Sequence, residues 1–207
     1  MKFFKFIIVC SLLALSCSSY AAFINFTSSS VSGFANQSIS GSSTPSSDGF
    51  TLTLDGNLWV AVSGSYEILS TSTLYFDMEG SGNLAEFYGI GFDNDNSVTA
   101  GTLFDLGGSE NTSANIVSNY TVADGLVSYS IDVGSFFTGV FSQLVLILDA
   151  DNVSGASVSF SNVEICNDTV NCESLSSPSV SVSAPGALGL LTLSCMALAV
   201  RRRRFIA

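Results

Sequence analysis

The sequence predicts an all-β fold, an antiparallel β-sandwich of jelly-roll type, for the central part of the chain. Apolar and polar residues alternate with a period of two in several segments, and Gly, Asn, Asp and Ser clusters separate these segments. Such alternation places one face of a strand in a core and the other in water. Short strands divided by turn-forming residues are typical of sandwiches and barrels.

The strand pattern occurs in six segments. In residues 50–55, 73–78 and 127–133, every second residue is apolar. The continuous apolar run 144–148 predicts a central strand, and residues 87–92 predict another. The last segment, 156–166, changes the parity of its apolar positions at Ser161 and Asn162, which predicts a β-bulge.

Both ends of the chain differ from this central part. Residues 1–21 have two lysines, an apolar run and small residues before Ala22, which is the order of a secretory signal peptide. A lipoprotein signal that uses Cys17 is the alternative. The sequence then divides into a β-sandwich domain over 22–172, a Ser-rich linker over 173–184, and a C-terminal segment over 185–207 with a short apolar helix and an Arg cluster.

The charges are unevenly placed. Lys2, Lys5 and four terminal arginines are the basic residues of the chain, which has no histidine, so residues 22–185 carry all 17 acidic side chains and no basic one. A surface of this charge repels phosphate backbones, which argues against nucleic acid as a partner. The partners expected for such an acidic surface are cations and neutral or cationic ligands.

Two cysteines belong to the exported domain, Cys166 and Cys172. In an oxidising compartment a pair this close in sequence predicts a local disulfide loop, with two free thiols as the alternative. Without histidine, two cysteines do not make a zinc site.

The C-terminal segment resembles the PEP-CTERM sorting signal of bacterial exosortase substrates. It has the Ser-rich linker, a proline motif, a short apolar stretch and the terminal cluster Arg201, Arg202, Arg203 and Arg204, although Ser183-Ala184-Pro185 replaces the usual Pro-Glu-Pro. The resemblance implies an exosortase-like enzyme as a partner, cleavage near Pro185, transient anchoring in the inner membrane and export to the cell surface or the extracellular matrix. Permanent membrane anchoring is the alternative, because the apolar stretch of 15 residues is short but arginines can extend it.

The central domain is similar to the jelly-roll modules, related to carbohydrate-binding modules, of marine bacterial secreted proteins. The motifs are Asp149-Ala150-Asp151 and the closing run 160–165, FSNVEI. The resemblance implies a glycan-binding or matrix role, with extracellular polysaccharide as the partner and no reaction.

Two acidic loops are candidate calcium sites. Asp93 and Asp95 lie in one loop, Asp149 and Asp151 in the other, and carboxylates are the hard oxygen ligands that Ca²⁺ prefers. The alternative is that these residues are solvated turns, which Asp and Asn also favour. We therefore expect Ca²⁺ as a cofactor, with solvated turns as the alternative.

The expected function is non-catalytic polysaccharide binding, with Trp59, Tyr75 and Tyr88 as the candidate sugar platform. A buried core position is the alternative for Trp59. Without His, Lys or Arg in residues 22–185, the domain has no imidazole base and no cationic group to stabilise an anionic transition state. Two other functions remain open: a purely structural matrix or adhesive protein, and a hydrolase or lyase that uses paired carboxylates alone.

Overall fold

The computed structural model describes residues 23–110 and 112–167, and these residues form ten β-strands and three single-turn 3₁₀ helices. The strands are β1 Val31–Gly33, β2 Ser40–Pro45, β3 Thr51–Ile68, β4 Thr73–Gly82, β5 Phe87–Asp93, β6 Leu103–Gly107, β7 Asn115–Tyr120, β8 Leu126–Ile131, β9 Gly139–Asp149 and β10 Ala156–Cys166. The 3₁₀ turns are Ala100–Thr102, Val122–Asp124 and Val133–Ser135.

The 18-residue strand β3 belongs to two layers. Residues 51–57 pair with β2 and β10, whereas residues 58–68 pair with β9 and, over a short stretch, with β1. We call the first layer, β2–β3–β10–β4–β8, the β4 layer. The second, β1–β3–β9–β5–β6–β7, is the β9 layer.

The order of the strands is that of a jelly roll. Counting β3 once in each layer, β3–β10–β4–β8 faces β3–β9–β5–β6, and every pairing among these strands is antiparallel. The chain crosses between the two layers several times. The early strand β3 pairs with the late strands β9 and β10, as in a jelly roll. Among the described strands, β6 and β7 form the one parallel pair. The predicted all-β sandwich is confirmed.

The main core lies between the two layers. The even positions of β3 from Leu52 to Val62, except Gly56, point into it from both layers. They meet Phe76 and Phe160 from the β4 layer and Leu146 from the β9 layer. Stacking of Tyr129 on Phe76, with ring centroids 4.9 Å apart, extends the packing to β8.

Most predicted strands are confirmed, and so is the bulge in β10. Its register against β4 shifts between Ser161 and Glu164, and Asn162 has a positive φ of 54°. The shift returns Val163 to the core after Phe160. Two further strands, β1 and β2, precede the first predicted segment. Phe136 lies outside the core, since its side chain is 50% exposed and packs edge-on against Phe104.

A second apolar cluster lies on the outer face of the β9 layer. Trp59, Phe87 and Ile147 form it, and the fully buried Phe34 from the β1–β2 connection packs in the same cluster. Phe34 also donates its backbone N–H to the carbonyl of Trp59 at 2.8 Å. This face of the sandwich is therefore closed by the protein itself.

Several sequence predictions fall outside the described residues: the signal peptide, the linker, the C-terminal segment with Pro185 and the Arg cluster, and Cys172. Within residues 23–110 and 112–167, no helix has the length and apolar character needed to cross a membrane.

Candidate functional site: the outer face of the β4 layer

The three aromatic residues of the predicted platform lie on three different surfaces. Tyr88 is fully buried between the layers, where its hydroxyl accepts the Ala85 N–H and burial raises its pKa. Trp59 is 9% exposed and lies in the closed cluster of the β9 layer. Tyr75 is partly exposed on the β4 layer. The three-residue platform is therefore corrected to Tyr75 alone.

Tyr75 points away from the core because its neighbours Leu74 and Phe76 point into it. Its cross-strand partners are Glu164 on β10 and Ser130 on β8. In β4, Asp77 and Glu79 share its outward parity, whereas Met78 is in the core. This alternation places one aromatic ring and two carboxylates in line on the solvent side of one strand.

The strand register assembles hydroxyl side chains around this line. Ser159 of β10 lies between Thr53 and Glu79, and Thr44 of β2 continues the same row. In the adjacent row Ser157 lies between Asp55 and Ser81. We call this surface the hydroxyl face. Its residues are Ser42, Thr44, Thr51, Thr53, Asp55, Tyr75, Asp77, Glu79, Ser81, Ser128, Ser130, Ser157, Ser159, Ser161 and the buried Glu164.

Asp77 is an internal support of the hydroxyl face. It is 8% exposed, and its two carboxylate oxygens accept hydrogen bonds from Ser128 Oγ at 2.5 Å and from Asn162 Nδ2 at 2.8 Å. Since Asn162 is the bulge residue of β10, Asp77 joins β8, β4 and β10 at the centre of the face. Asp77 therefore fixes the positions of its neighbours and is little accessible to solvent.

Asp55 and Glu79 are the exposed acids of the face. They lie on β3 and β4, on either side of β10. No basic side chain occurs in residues 22–185, so no ion pair within the domain neutralises them. The face combines one aromatic ring, many hydroxyl groups and exposed carboxylates. The ring offers an apolar surface, and the hydroxyl and carboxylate groups can hydrogen-bond the hydroxyls of a ligand.

The first predicted calcium loop is held by its own hydrogen bonds. Oδ1 of Asp93 accepts the N–H groups of Asp95 and Asn96, both at 2.8 Å. Oδ1 of Asp95 accepts the N–H and hydroxyl of Ser97, and the Ser97 hydroxyl contributes most to lowering the pKa of Asp95. Asn94 adds bonds to β9, from the Ser142 N–H and to the Val140 carbonyl. These contacts are those of a turn that joins β5 to its neighbours.

The second acidic loop brings together more carboxylates than the sequence indicated. Asp149 lies near Asp151, Glu86 and Glu110; its burial raises its pKa, and these three like charges add to the effect. Asn57 donates to Asp151, and Asn152 donates to both oxygens of Glu86, which lowers the pKa of Glu86. Among residues 23–110 and 112–167, Trp59 Nε1 has no hydrogen-bond partner at normal distance. It lies close enough to Asp149 to oppose, in part, the rise in the pKa of that carboxyl group.

No group of three or more Cys, Asp or Glu side chains in the described part of the chain converges as metal ligands do. Calcium binding by either loop stays a prediction. Cys166 is buried at the end of β10. Because Cys172 is outside the described residues, the predicted disulfide also stays a prediction.

Sequence reasoning missed most of the hydroxyl face. The polar positions of residues 51–55 and 157–161 were visible as the solvent half of an alternating pattern. Their assembly depends on strand order, because β10 lies between β3 and β4 although it is the last of the ten strands. Predicting this face therefore required knowing that the first long strand, β3, pairs with the last strand, β10.

Comparisons with known proteins assign no family to the chain. No protein-family description matches it, and no curated protein sequence matches it. Solved structures of similar shape include a family 29 carbohydrate-binding module with 16% identity and a TM-score of 0.41, covering 70% of this chain and 85% of that one. Another is a family 29 variant complexed with cellulohexaose, with 14% identity, a TM-score of 0.41 and coverages of 71% and 91%.

The family 30 module of a cellulosomal cellulase from Clostridium thermocellum is also similar, with 13% identity, a TM-score of 0.36 and coverages of 73% and 96%. The solved structures named here are thus carbohydrate-binding modules. A likeness at these scores assigns neither a fold nor a ligand to this chain. The jelly roll follows from its own strand pairing.

Proposed function

We propose that this protein is a non-catalytic module that binds polysaccharide through the hydroxyl face. The observation that carries the proposal is Tyr75, a partly exposed ring placed by register among hydroxyl and carboxylate side chains. An aromatic ring offers an apolar surface to a sugar ring, and the surrounding oxygens exchange hydrogen bonds with its hydroxyl groups.

The position of the face supports the proposal. Its strands belong to the two-layer core, so the side chains stand on a rigid sheet. None of the hydrogen bonds among the described residues uses the side chains of Thr44, Thr53 or Glu79, whereas Asp77 is fixed by two. A fixed centre with adaptable groups around it suits a binding site that needs no large rearrangement.

The test is affinity electrophoresis of the purified full-length chain through gels that contain hydroxyethyl cellulose, glucomannan or dextran. We expect at least one polymer to retard the protein. Tyr75→Ala should weaken that binding about tenfold, the cost of losing a central aromatic contact, whereas Tyr75→Phe should keep most of it. Phe136→Ala is the control, since it removes an exposed aromatic that packs against Phe104 of the β9 layer.

Two other functions predict different results. A purely structural matrix protein would pass through every gel unretarded, with or without Tyr75. A hydrolase or lyase that uses carboxylates alone would release reducing ends from a polymer it binds, and Asp149→Asn/Asp151→Asn would stop the release. Binding without release of reducing ends is the expected outcome.

We also propose, from the sequence resemblance of the C-terminal segment, that the protein is exported and sorted by an exosortase-like enzyme. Its support is the order of linker, Pro185, apolar stretch and Arg cluster. In cell fractionation, the wild-type chain should leave the inner membrane, and a variant with Pro185 and the four arginines replaced should accumulate there. Equal distributions of the two would instead indicate a permanent anchor.

A further inference from the structure

We infer that the hydroxyl face selects uncharged polysaccharides and rejects acidic ones, with Asp55 and Glu79 as the selecting side chains. This inference rests on the proposed function, because it concerns the ligand of the same face. It adds a class of ligand and two residues that set the preference.

The two carboxylates are placed to act together on one ligand. Asp55 is opposite Ser157 and Glu79 is opposite Ser159, so the acids lie two strands apart and differ by one two-residue step along β10. With strands about 4.8 Å apart and a two-residue step of about 6.8 Å, their Cα atoms are roughly 12 Å apart. Tyr75 precedes Glu79 by four residues on β4, and Asp55 lies in the row of Ser81, six residues beyond Tyr75. Tyr75 and Asp55 are therefore roughly 22 Å apart. A glycan chain of several sugars that runs from Tyr75 along β4 to Glu79 and then crosses β10 to Asp55 contacts all three.

Nothing in the domain compensates for these charges. Residues 22–185 contain no Lys, Arg or His, so a uronate or sulfate group on the face meets only like charge. An uncharged sugar meets the same carboxylates as hydrogen-bond acceptors for its hydroxyl groups. The same two side chains therefore favour one class of polymer and repel the other.

Salt provides the signature of this mechanism. A charge on a bound polymer that lies within roughly 12 Å of Asp55 or Glu79 is repelled in 0.01 M salt, where the screening length is about 30 Å. In 1 M salt, where that length is about 3 Å, the repulsion is screened. Rejection of an acidic polymer should thus disappear at high salt. Binding of a neutral polymer, which involves no net charge, should change little.

The experiment compares each neutral polymer of the electrophoresis series with its carboxymethyl derivative, using the full-length chain. At 0.01 M salt we expect the derivative to bind about five- to tenfold more weakly than its parent, and the ratio should approach one at 1 M salt. Asp55→Asn/Glu79→Gln should bring the ratio toward one already at 0.01 M salt. The ratio is the readout, so a uniform loss of affinity in the variant does not affect the conclusion.

A second double variant, Glu67→Gln/Glu110→Gln, is the control. It removes the same number of charges from exposed positions of the β9 layer side and should leave the ratio as in the wild type. If it changes the ratio as much as the Asp55 and Glu79 variant, selection is a property of net charge and the inference is wrong. Equal binding of parent and derivative at 0.01 M salt overturns the inference but leaves the proposed function intact. If no neutral polymer binds at any salt concentration, both fail.

Discussion

Gly91 and Gly89 of β5 let the outer apolar cluster of the β9 layer pack closely against the sheet. A Cβ atom at Gly91 would overlap the carbonyl oxygen of Thr102 and lie 2.8 Å from the Cα atom of Leu103. At Gly89 it would lie 2.6 Å from the ring of Phe87. The obstacle at Gly91 is backbone, which cannot rotate away, so the demand for glycine is stricter there.

We therefore expect Gly91→Ala to lower the free energy of unfolding by about 1–3 kcal/mol, the usual cost of overpacking. Gly101→Ala is the matched control, because a Cβ atom at Gly101 has no atom within 4 Å. Its effect should stay within about 0.5 kcal/mol. Urea denaturation of both variants measures the difference, and equal midpoints would show that β5 shifts freely.

Asp149 allows a prediction about pH. Burial, and then the charges of Asp151 and Glu86, raise its pKa above the usual 3.8. A carboxyl group whose pKa is raised by folding makes the folded protein less stable as pH rises through that interval. Asp149→Asn should consequently raise the melting temperature at pH 7, and the gain should vanish below pH 3.8, where Asp149 is protonated in both states.

Asp132→Asn, at an exposed position after β8, is the control and should give no comparable gain at pH 7. Thermal melts from pH 3 to pH 8 test the sign. A loss of stability at pH 7 in Asp149→Asn would mean that the nearby Trp59 N–H outweighs the like charges, contrary to the expectation.

At the scale of elements, β3 decides the architecture. This one strand belongs to both layers. Its even-numbered side chains from Leu52 to Val62, except Gly56, point into the core along that whole length. The alternation over 50–55 predicted the first part of this strand. Gly56-Asn57 has the composition of a turn, and Gly56 does adopt a positive φ of 89°. The continuation into the second layer depends on pairing with β9, which local sequence does not encode.

The same contrast holds for the site. The alternating pattern over 73–78 was sufficient to place Tyr75 and Asp77 on the outward side of a strand. It was not sufficient to exclude Trp59 and Tyr88, because burial of Trp59 needs Phe34 from a different segment and burial of Tyr88 needs the opposing layer. Strand faces were predictable from local sequence, and the contacts that cover them were not.

The β1–β2 connection gives an element-scale prediction through the one tryptophan of the chain. Phe34→Ala removes a fully buried ring from the Trp59 cluster. We expect a loss of about 3–5 kcal/mol of stability and a shift of Trp59 fluorescence to longer wavelength as water reaches the indole. Phe136→Ala, a ring already 50% exposed, should leave the emission unchanged.

A related outcome concerns the glycan. Trp59 lies on the outer face of the β9 layer and the hydroxyl face belongs to the β4 layer. Polysaccharide binding should therefore leave the Trp59 emission unchanged. A shift of the Trp59 emission on ligand binding would indicate that the binding site is on the β9 layer.

At the scale of the whole molecule, the described residues form a β-sandwich whose charged side chains are all acidic. Fifteen of the seventeen acidic residues lie in the described residues, and no basic side chain accompanies them there. Such a domain is destabilised by self-repulsion, so salt should stabilise it by screening. This effect needs no binding site, and it is the background against which any specific cation must be measured.

Calcium should raise the melting temperature of the full-length chain more than NaCl of equal ionic strength does, and the loop with Asp149 and Asp151 is where we expect the excess to arise. The oxygens of Asp93 and Asp95 already accept backbone N–H groups, whereas Asp149 is surrounded by Asp151, Glu86 and Glu110. An ion that binds the folded state alone, at about a hundredfold excess over its Kd, stabilises by about 2.7 kcal/mol. Melting curves in Ca²⁺, in a chelator and in matched NaCl measure the excess. Asp149→Asn/Asp151→Asn should abolish it and Asp93→Asn/Asp95→Asn should not. Backbone N–H groups satisfy Asp93 and Asp95, whereas Asp151 accepts from the Asn57 side chain and Asp149 faces like charges. If Ca²⁺ does no more than NaCl, both loops are solvated turns and the acidic surface responds only to screening.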